Sequence, residues 1–142
     1  NLWTPQGIYV YDNPDGKEKN IEDLTQELGS REENNVVYNS DRSVRFVSTG
    51  HLKLRDLSPA KLPKNAYIIA RYGKEGAEKL ADISKIFGWD VDIRRIGKGR
   101  IHDYPESRVS AFDYFEDYGH TDSIPGSGFG DYAVGFGFGL DN

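Results

Sequence analysis

The sequence predicts an α+β fold: a single compact domain with a mixed, mostly antiparallel sheet, two helices and a glycine-rich C-terminal strand. Three observations predict it. Short apolar runs, broken by Asp, Asn, Pro and Gly, read as strands joined by hairpin turns. One longer stretch, residues 74–87, carries the apolar periodicity of an amphipathic helix. The chain has 142 residues, the size of one domain that can bury a single core.

The first strand is residues 7–11, ended by Asp12-Asn13-Pro14-Asp15-Gly16. Those residues favour turns through side-chain caps, a fixed φ and access to positive φ. A short helix follows. Asn20 is its N-cap, Glu22 and Asp23 suit its positive end, and Gly29 stops it. Ile21, Leu24 and Leu28 share one face. Residues 35–38 and 43–48 form a hairpin around Asn39-Ser40-Asp41-Arg42. Residues 58–63 hold two prolines and read as a loop, because proline has no ladder donor. Residues 66–71 read as a buried strand.

In the helix over 74–87, Ala77, Leu80, Ala81, Ser84 and Phe87 form the buried stripe and Gly88 ends it. Glu75 and Lys79 form a favourable pair one turn apart. Residues 89–93 alternate apolar and charged, as a half-buried strand does. A strand, a helix and a strand in this order allow a parallel βαβ unit. At the C-terminus, Tyr132, Val134, Phe136, Phe138 and Leu140 fall on one side of a strand, and small residues fall on the other. Glycine on that side lets a second backbone approach. The strand therefore pairs either with its own sheet, which is the expectation, or with a neighbouring subunit or protein partner.

Composition narrows the function. Zero cysteines exclude disulfides, thiolate catalysis and Cys-based metal sites. No apolar run approaches the ~20 residues of a membrane helix, so no membrane insertion is expected. The net charge of −5 argues against a nucleic-acid binder coated in positive charge. Charge is split along the chain. Residues 101–142 hold one basic side chain, Arg108, and eight acidic ones. They also hold nine aromatics and seven glycines, and they form a distinct segment of the one domain spanning 1–142. There is no methionine, so Asn1 reads as the start of a processed, secreted or extracellular protein or of an excised domain.

Two clusters are candidates for chemistry. Arg94, Arg95, Lys98 and Arg100 surround Gly97 and Gly99, where backbone amides and guanidinium groups suit a phosphate. No Walker loop is present. His102 and Glu106 follow closely and would supply a base and an acid. Asp113, Glu116, Asp117 and Asp122 form an oxygen-rich cluster that suits calcium, although no EF-hand spacing is present. His51, His102 and His120 share no local zinc-ligand spacing. The ordinary reading of both clusters is a solvated, charged surface.

Four segments resemble the mono-ADP-ribosyltransferase toxins of the cholera and pertussis type. Ile8-Tyr9-Val10-Tyr11-Asp12 with Pro14 resembles that family's opening strand, and Phe46-Val47-Ser48-Thr49 resembles its Ser-Thr-Ser strand. Tyr67-Ile68-Ile69-Ala70 resembles the core strand that comes next. Pro105-Glu106-Ser107-Arg108-Val109-Ser110-Ala111 resembles the segment carrying its Glu-x-Glu pair. The resemblance implies NAD as a ligand, Ser48 shaping the pocket and Glu106 as the first paired glutamate. Val10 stands at the position of the NAD-binding arginine, Gly50 at the second serine and Arg108 at the catalytic glutamate. An arginine there cannot stabilise a developing positive charge. A shared fold with altered or lost chemistry is the implied outcome.

Three function classes follow. The first is a secreted effector or toxin-type domain that binds NAD or another nucleotide, through Ser48, Arg100, His102 and Glu106. The second is a non-catalytic secreted protein that assembles through its C-terminal strand, with calcium as a ligand. The third is a small metal-independent RNase using His102, Glu106 and the basic patch.

Overall fold

The computed structural model describes residues 1–53, 57–88, 91–94, 103–115, 118–125 and 134–135, of which 87, 91–94, 109–115, 118–125 and 134–135 are described by their backbone. The strands are β1 (Leu2–Thr4), β2 (Gly7–Tyr11), β3 (Arg31–Glu33), β4 (Val36–Tyr38), β5 (Val44–Ser48), β6 (Val91–Arg94), β7 (Glu106–Phe115), β8 (Tyr118–Pro125) and β9 (Val134–Gly135). The helices are α1 (Ile21–Glu27) and α2 (Ala66–Phe87). The predicted α+β class is what the structure has.

Among the described residues one sheet runs in the order β3-β4-β5-β2-β1-β7-β8-β6, with β9 also paired to β7. Every pairing is antiparallel except β6 with β8. The three-residue β1 is the seam, with β2 on one side and β7 on the other. The tight β1–β2 turn is held by Thr4, whose hydroxyl donates to the Gly7 carbonyl at 2.8 Å and accepts from its amide at 3.2 Å. Asn1 extends the seam: its amine donates to the Arg108 carbonyl at 2.8 Å, and the Arg108 amide donates back at 2.7 Å.

Each face of the sheet carries one helix. On one, Trp3, Ile8, Val10, Val36, Tyr38 and Val47 pack against Tyr67, Ile68, Ala77, Leu80 and Ala81 of α2. Trp3 meets Tyr67 edge-on, with ring centroids 5.8 Å apart. On the other face, Leu2, Tyr9 and Val44 pack against Leu24 of α1. α1 starts where the Asn20 side chain accepts from the Asp23 amide at 2.9 Å, as its N-cap role requires. It ends one residue early, at Glu27, because Leu28 is already extended. The expected stripe of α2 is buried at Ala77, Leu80, Ala81 and Ser84, and Gly88 closes the helix in a left-handed conformation.

One element differs from expectation. Residues 66–71 are the first turns of α2 and not a strand, so no strand–helix–strand unit exists there and the one parallel pair is β6–β8. The Asn65 side chain decides the matter. It accepts from the Ile68 amide at 3.0 Å and donates to the Lys53 carbonyl at 2.8 Å, which starts the helix and anchors it. A run of fully buried residues reads the same in a strand as in a buried helix. α2 is broken at Gly73, whose φ of 75° and ψ of 168° are not helical. That break made the helix look as though it began at Lys74. The C-terminal strand is described only at Val134–Gly135, which pair with Tyr114 and Asp113 of the same chain. The rest of residues 132–140 lies outside the described residues.

Candidate functional site

A cleft of about 300 Å³ opens beside the break in α2. Four elements build it. Asp12 follows the end of β2, the end of β3 and the β3–β4 turn supply Glu33 and Asn34, and β4, β5 and the turn between them supply Tyr38, Arg42 and Arg45. Ile69–Lys74 of α2 forms the other wall. The turns are tight: Asn34, Asn35 and Arg42 all have positive φ, at 54°, 63° and 64°. Asn tolerates that region better than most residues, and Arg42 is held there by its amide donating to the Asn39 carbonyl at 3.2 Å.

Cations dominate the cleft. Arg42, Arg45, Arg71 and Lys74 line it, against Asp12 and Glu33. Arg45 is the structural member of the set. Its Nε donates to the Ala70 carbonyl at 2.8 Å and its Nη1 to the Arg42 carbonyl at 2.7 Å, with Asp12 at 3.2 Å. It therefore satisfies a carbonyl at the negative end of the first helical segment, where a cation is stabilised. Arg42 lies over the Tyr38 ring at 4.8 Å and donates to Glu33 at 3.0 Å. Arg71 lies over the rings of Tyr67 at 5.5 Å and Tyr72 at 4.9 Å. Lys74 is exposed and forms no ion pair among the described residues. Past Gly73 a fresh helical segment begins, and its positive N-terminal end lies at the cleft.

Burial, with a smaller part from the cleft's charge, shifts two titrating neighbours. Burial lowers the Asn1 α-amine from 8.0 to about 5, and the nearby Arg71 and Arg45 add to that. Burial raises the Tyr38 phenol above its ordinary value, with Arg42 opposing.

The residues singled out in the sequence are placed as follows. Glu106 opens β7 in the same cross-strand row as Trp3, Ile8 and Val47. Its Oε2 accepts from Arg108 Nη2 at 2.7 Å and Nε at 3.2 Å. The Arg108 side chain is only 4% exposed and lies over the Trp3 ring at 5.2 Å. This pair is built into the core. Ser48 ends β5 in the next row, with Gly7 and Thr4. Successive rows face opposite sides of a sheet, so the backbone of the sheet stands between Ser48 and Glu106. Tyr67-Ile68-Ile69-Ala70, the core strand of the ADP-ribosyltransferase resemblance, is helical. Arg94 ends β6, beside Asp122 of β8, and Asp113 lies on β7 beside His120 of β8. His102, Arg95, Lys98, Arg100, Glu116 and Asp117 lie outside the described residues. Among side chains that are described, no group of three or more His, Asp and Glu is placed to hold a metal, and no described helix is long and apolar enough to cross a membrane.

Sequence reasoning missed the cleft because its cations are dispersed over 33 positions, from Arg42 to Lys74. One signal was present: Arg45 interrupts the apolar run Val44-Arg45-Phe46-Val47, and a cation inside a strand calls for partners. Comparisons with family models, with curated proteins and with solved structures found no match to this chain.

Proposed function

We propose that the chain is a nucleotide-binding domain of a secreted effector, taking NAD or another phosphate-bearing nucleotide in the cleft at Gly73, with ADP-ribosyltransferase chemistry altered or lost. The observation that carries it is the convergence of Arg42, Arg45, Arg71 and Lys74 on one cavity walled by Tyr38 and Tyr72. Arginine matches phosphate oxygens in two places at once, and an aromatic wall offers a face for a base. The volume sits at the lower end of small-molecule pockets, about 300–1,000 Å³. Loss of chemistry is supported by Glu106, which is committed to the buried Arg108.

Calorimetric titration of the full chain with NAD, ADP, adenosine and inorganic phosphate tests the reading. NAD and ADP should bind and adenosine should not. Lys74→Glu, at an exposed residue outside any ion pair among the described residues, should weaken ADP about fivefold, or ~1 kcal/mol. Adenosine binding as well as ADP, or no nucleotide bound at millimolar concentration, overturns it.

A further inference from the structure

The Glu33 carboxylate lies between two cations. Its Oε2 is 3.0 Å from Arg42 Nη2 and 3.6 Å from Arg31 Nη2. Arg42 lines the cleft at Gly73, and Arg31 does not. One oxygen thus links a cation of the cleft to a cation beside it. The backbone under all three residues is fixed. Asn34 and Asn35, both at positive φ, make a two-residue hairpin turn, across which Glu33 pairs with Val36 and Arg31 with Tyr38. Val36 and Tyr38 are buried against α2, so Arg31 and Glu33 project from the same face of the sheet as the cleft. The Arg42 amide donates to the Asn39 carbonyl, and the Arg42 carbonyl accepts from Arg45. The parts that can move are the three side chains, and all three residues are exposed.

We propose that Glu33 is a charge latch on the cleft, which occupies Arg42 while the cleft is empty and passes to Arg31 when a phosphate takes Arg42. The latch rests on the nucleotide reading above and adds how that site is controlled. A phosphate arriving at Arg42 meets a carboxylate already there, and like charges at contact distance repel. An exposed ion pair is weak and exchanges readily. Arg31, on the other side of the same oxygen, gives the displaced carboxylate a second partner, so it does not return to water unpaired. The other carboxylate of the cleft lacks this freedom. Asp12 faces Arg45, whose guanidinium is largely buried and tied to the Ala70 and Arg42 carbonyls. The Tyr38 ring, 4.8 Å from the Arg42 guanidinium, keeps that cation at the cleft after Glu33 has left. Burial is the main cause of the raised Tyr38 phenol, and Arg42, Glu33, Arg45 and Arg31 all act on it too, so the whole latch surrounds one side chain.

Calorimetric titration of the full chain with ADP tests the latch. Glu33→Gln should tighten ADP about threefold, and high salt should shrink that gain. Arg31→Gln, outside the cleft, should weaken ADP about twofold, because Glu33 then holds Arg42 harder. Arg31→Lys keeps the charge and should bind ADP as the unaltered chain does. In the Glu33→Gln background Arg31→Gln should change nothing, which isolates the coupling between the two. Glu27→Gln makes the same charge change on α1, across the sheet, and should leave ADP affinity unaltered. Equal or weaker ADP binding by Glu33→Gln, or a loss on Arg31→Gln that persists in the Glu33→Gln background, overturns the latch and leaves the nucleotide reading standing. No ADP bound by the unaltered chain or by any variant overturns both.

Discussion

Arg45→Met removes the guanidinium that joins α2 to the β4–β5 turn and keeps an apolar stem of similar length. Two carbonyls lose their donor, Ala70 at 2.8 Å and Arg42 at 2.7 Å. Hydrogen bonds to charged groups contribute about 1.5–3 kcal/mol each, and the Arg45 side chain is only 12% exposed, so solvent replaces little. With partial relaxation the expected loss is about 3 kcal/mol, or about 12 °C in Tm at roughly 4 °C per kcal/mol for a domain of this size. Asp12→Asn is the control. Asp12 is 64% exposed, and an exposed ion pair contributes less than about 1 kcal/mol. Urea unfolding followed by circular dichroism gives both values by linear extrapolation. Arg45→Lys should recover little, because a single ammonium cannot reproduce the fork that reaches both carbonyls. If Arg45→Met and Asp12→Asn cost the same, Arg45 acts through its ion pair and the helix-end argument is refuted.

Three further outcomes are expected. Gly7→Ala should cost about 3 kcal/mol, because an added Cβ would meet the Val47 carbonyl oxygen and lie 2.8 Å from Ser48 Cα, both backbone atoms; an unchanged melting curve would contradict the β2–β5 register. Glu106→Gln should destabilise by about 3 kcal/mol, since it removes the negative charge that faces the buried Arg108 guanidinium at 2.7 Å; urea midpoints equal to wild type would free Glu106 for chemistry. In a chain prepared with a free amine at Asn1, the folded-state pKa of about 5 lies below the ordinary 8.0, so the unfolded chain binds that proton more tightly. Stability should be full above pH 8 and decline as the pH falls towards 5, by at most about 1.4 kcal/mol per pH unit, and acetylating the amine should flatten that part of a Tm-against-pH profile.

The elements that rest on local chemistry were legible in the sequence. β2, the β4–β5 hairpin, the Asn20 cap and the stripe Ala77–Leu80–Ala81–Ser84 each follow from residues within a few positions of one another. β1 and β3 were not legible. Leu2–Thr4 has no alternation long enough to read, and Arg31–Glu33 is exposed throughout and becomes a strand through its pairing with β4. The start of α2 was misread because Tyr67-Ile68-Ile69-Ala70 is buried all round, which erases helical periodicity. Only the Asn65 cap distinguishes it, and that cap is a single residue. The cleft was invisible for a different reason. Its cations acquire a common location only when β5 and α2 lie side by side, and that contact is tertiary.

The seam at β1 has a consequence for how the chain comes into being. Leu2 and Trp3 are made more than a hundred residues before their partners Ser107 and Glu106. At translation rates of about 5–20 residues per second that interval is roughly 5–20 s. Throughout it the edge of β1 that β7 will cover is open, and the Trp3 ring lacks the guanidinium that later lies over it. An open strand edge invites pairing with other chains. Nascent copies emerging side by side from one messenger would therefore be open to pairing with one another, and a holding chaperone acting before β7 is made would raise the yield.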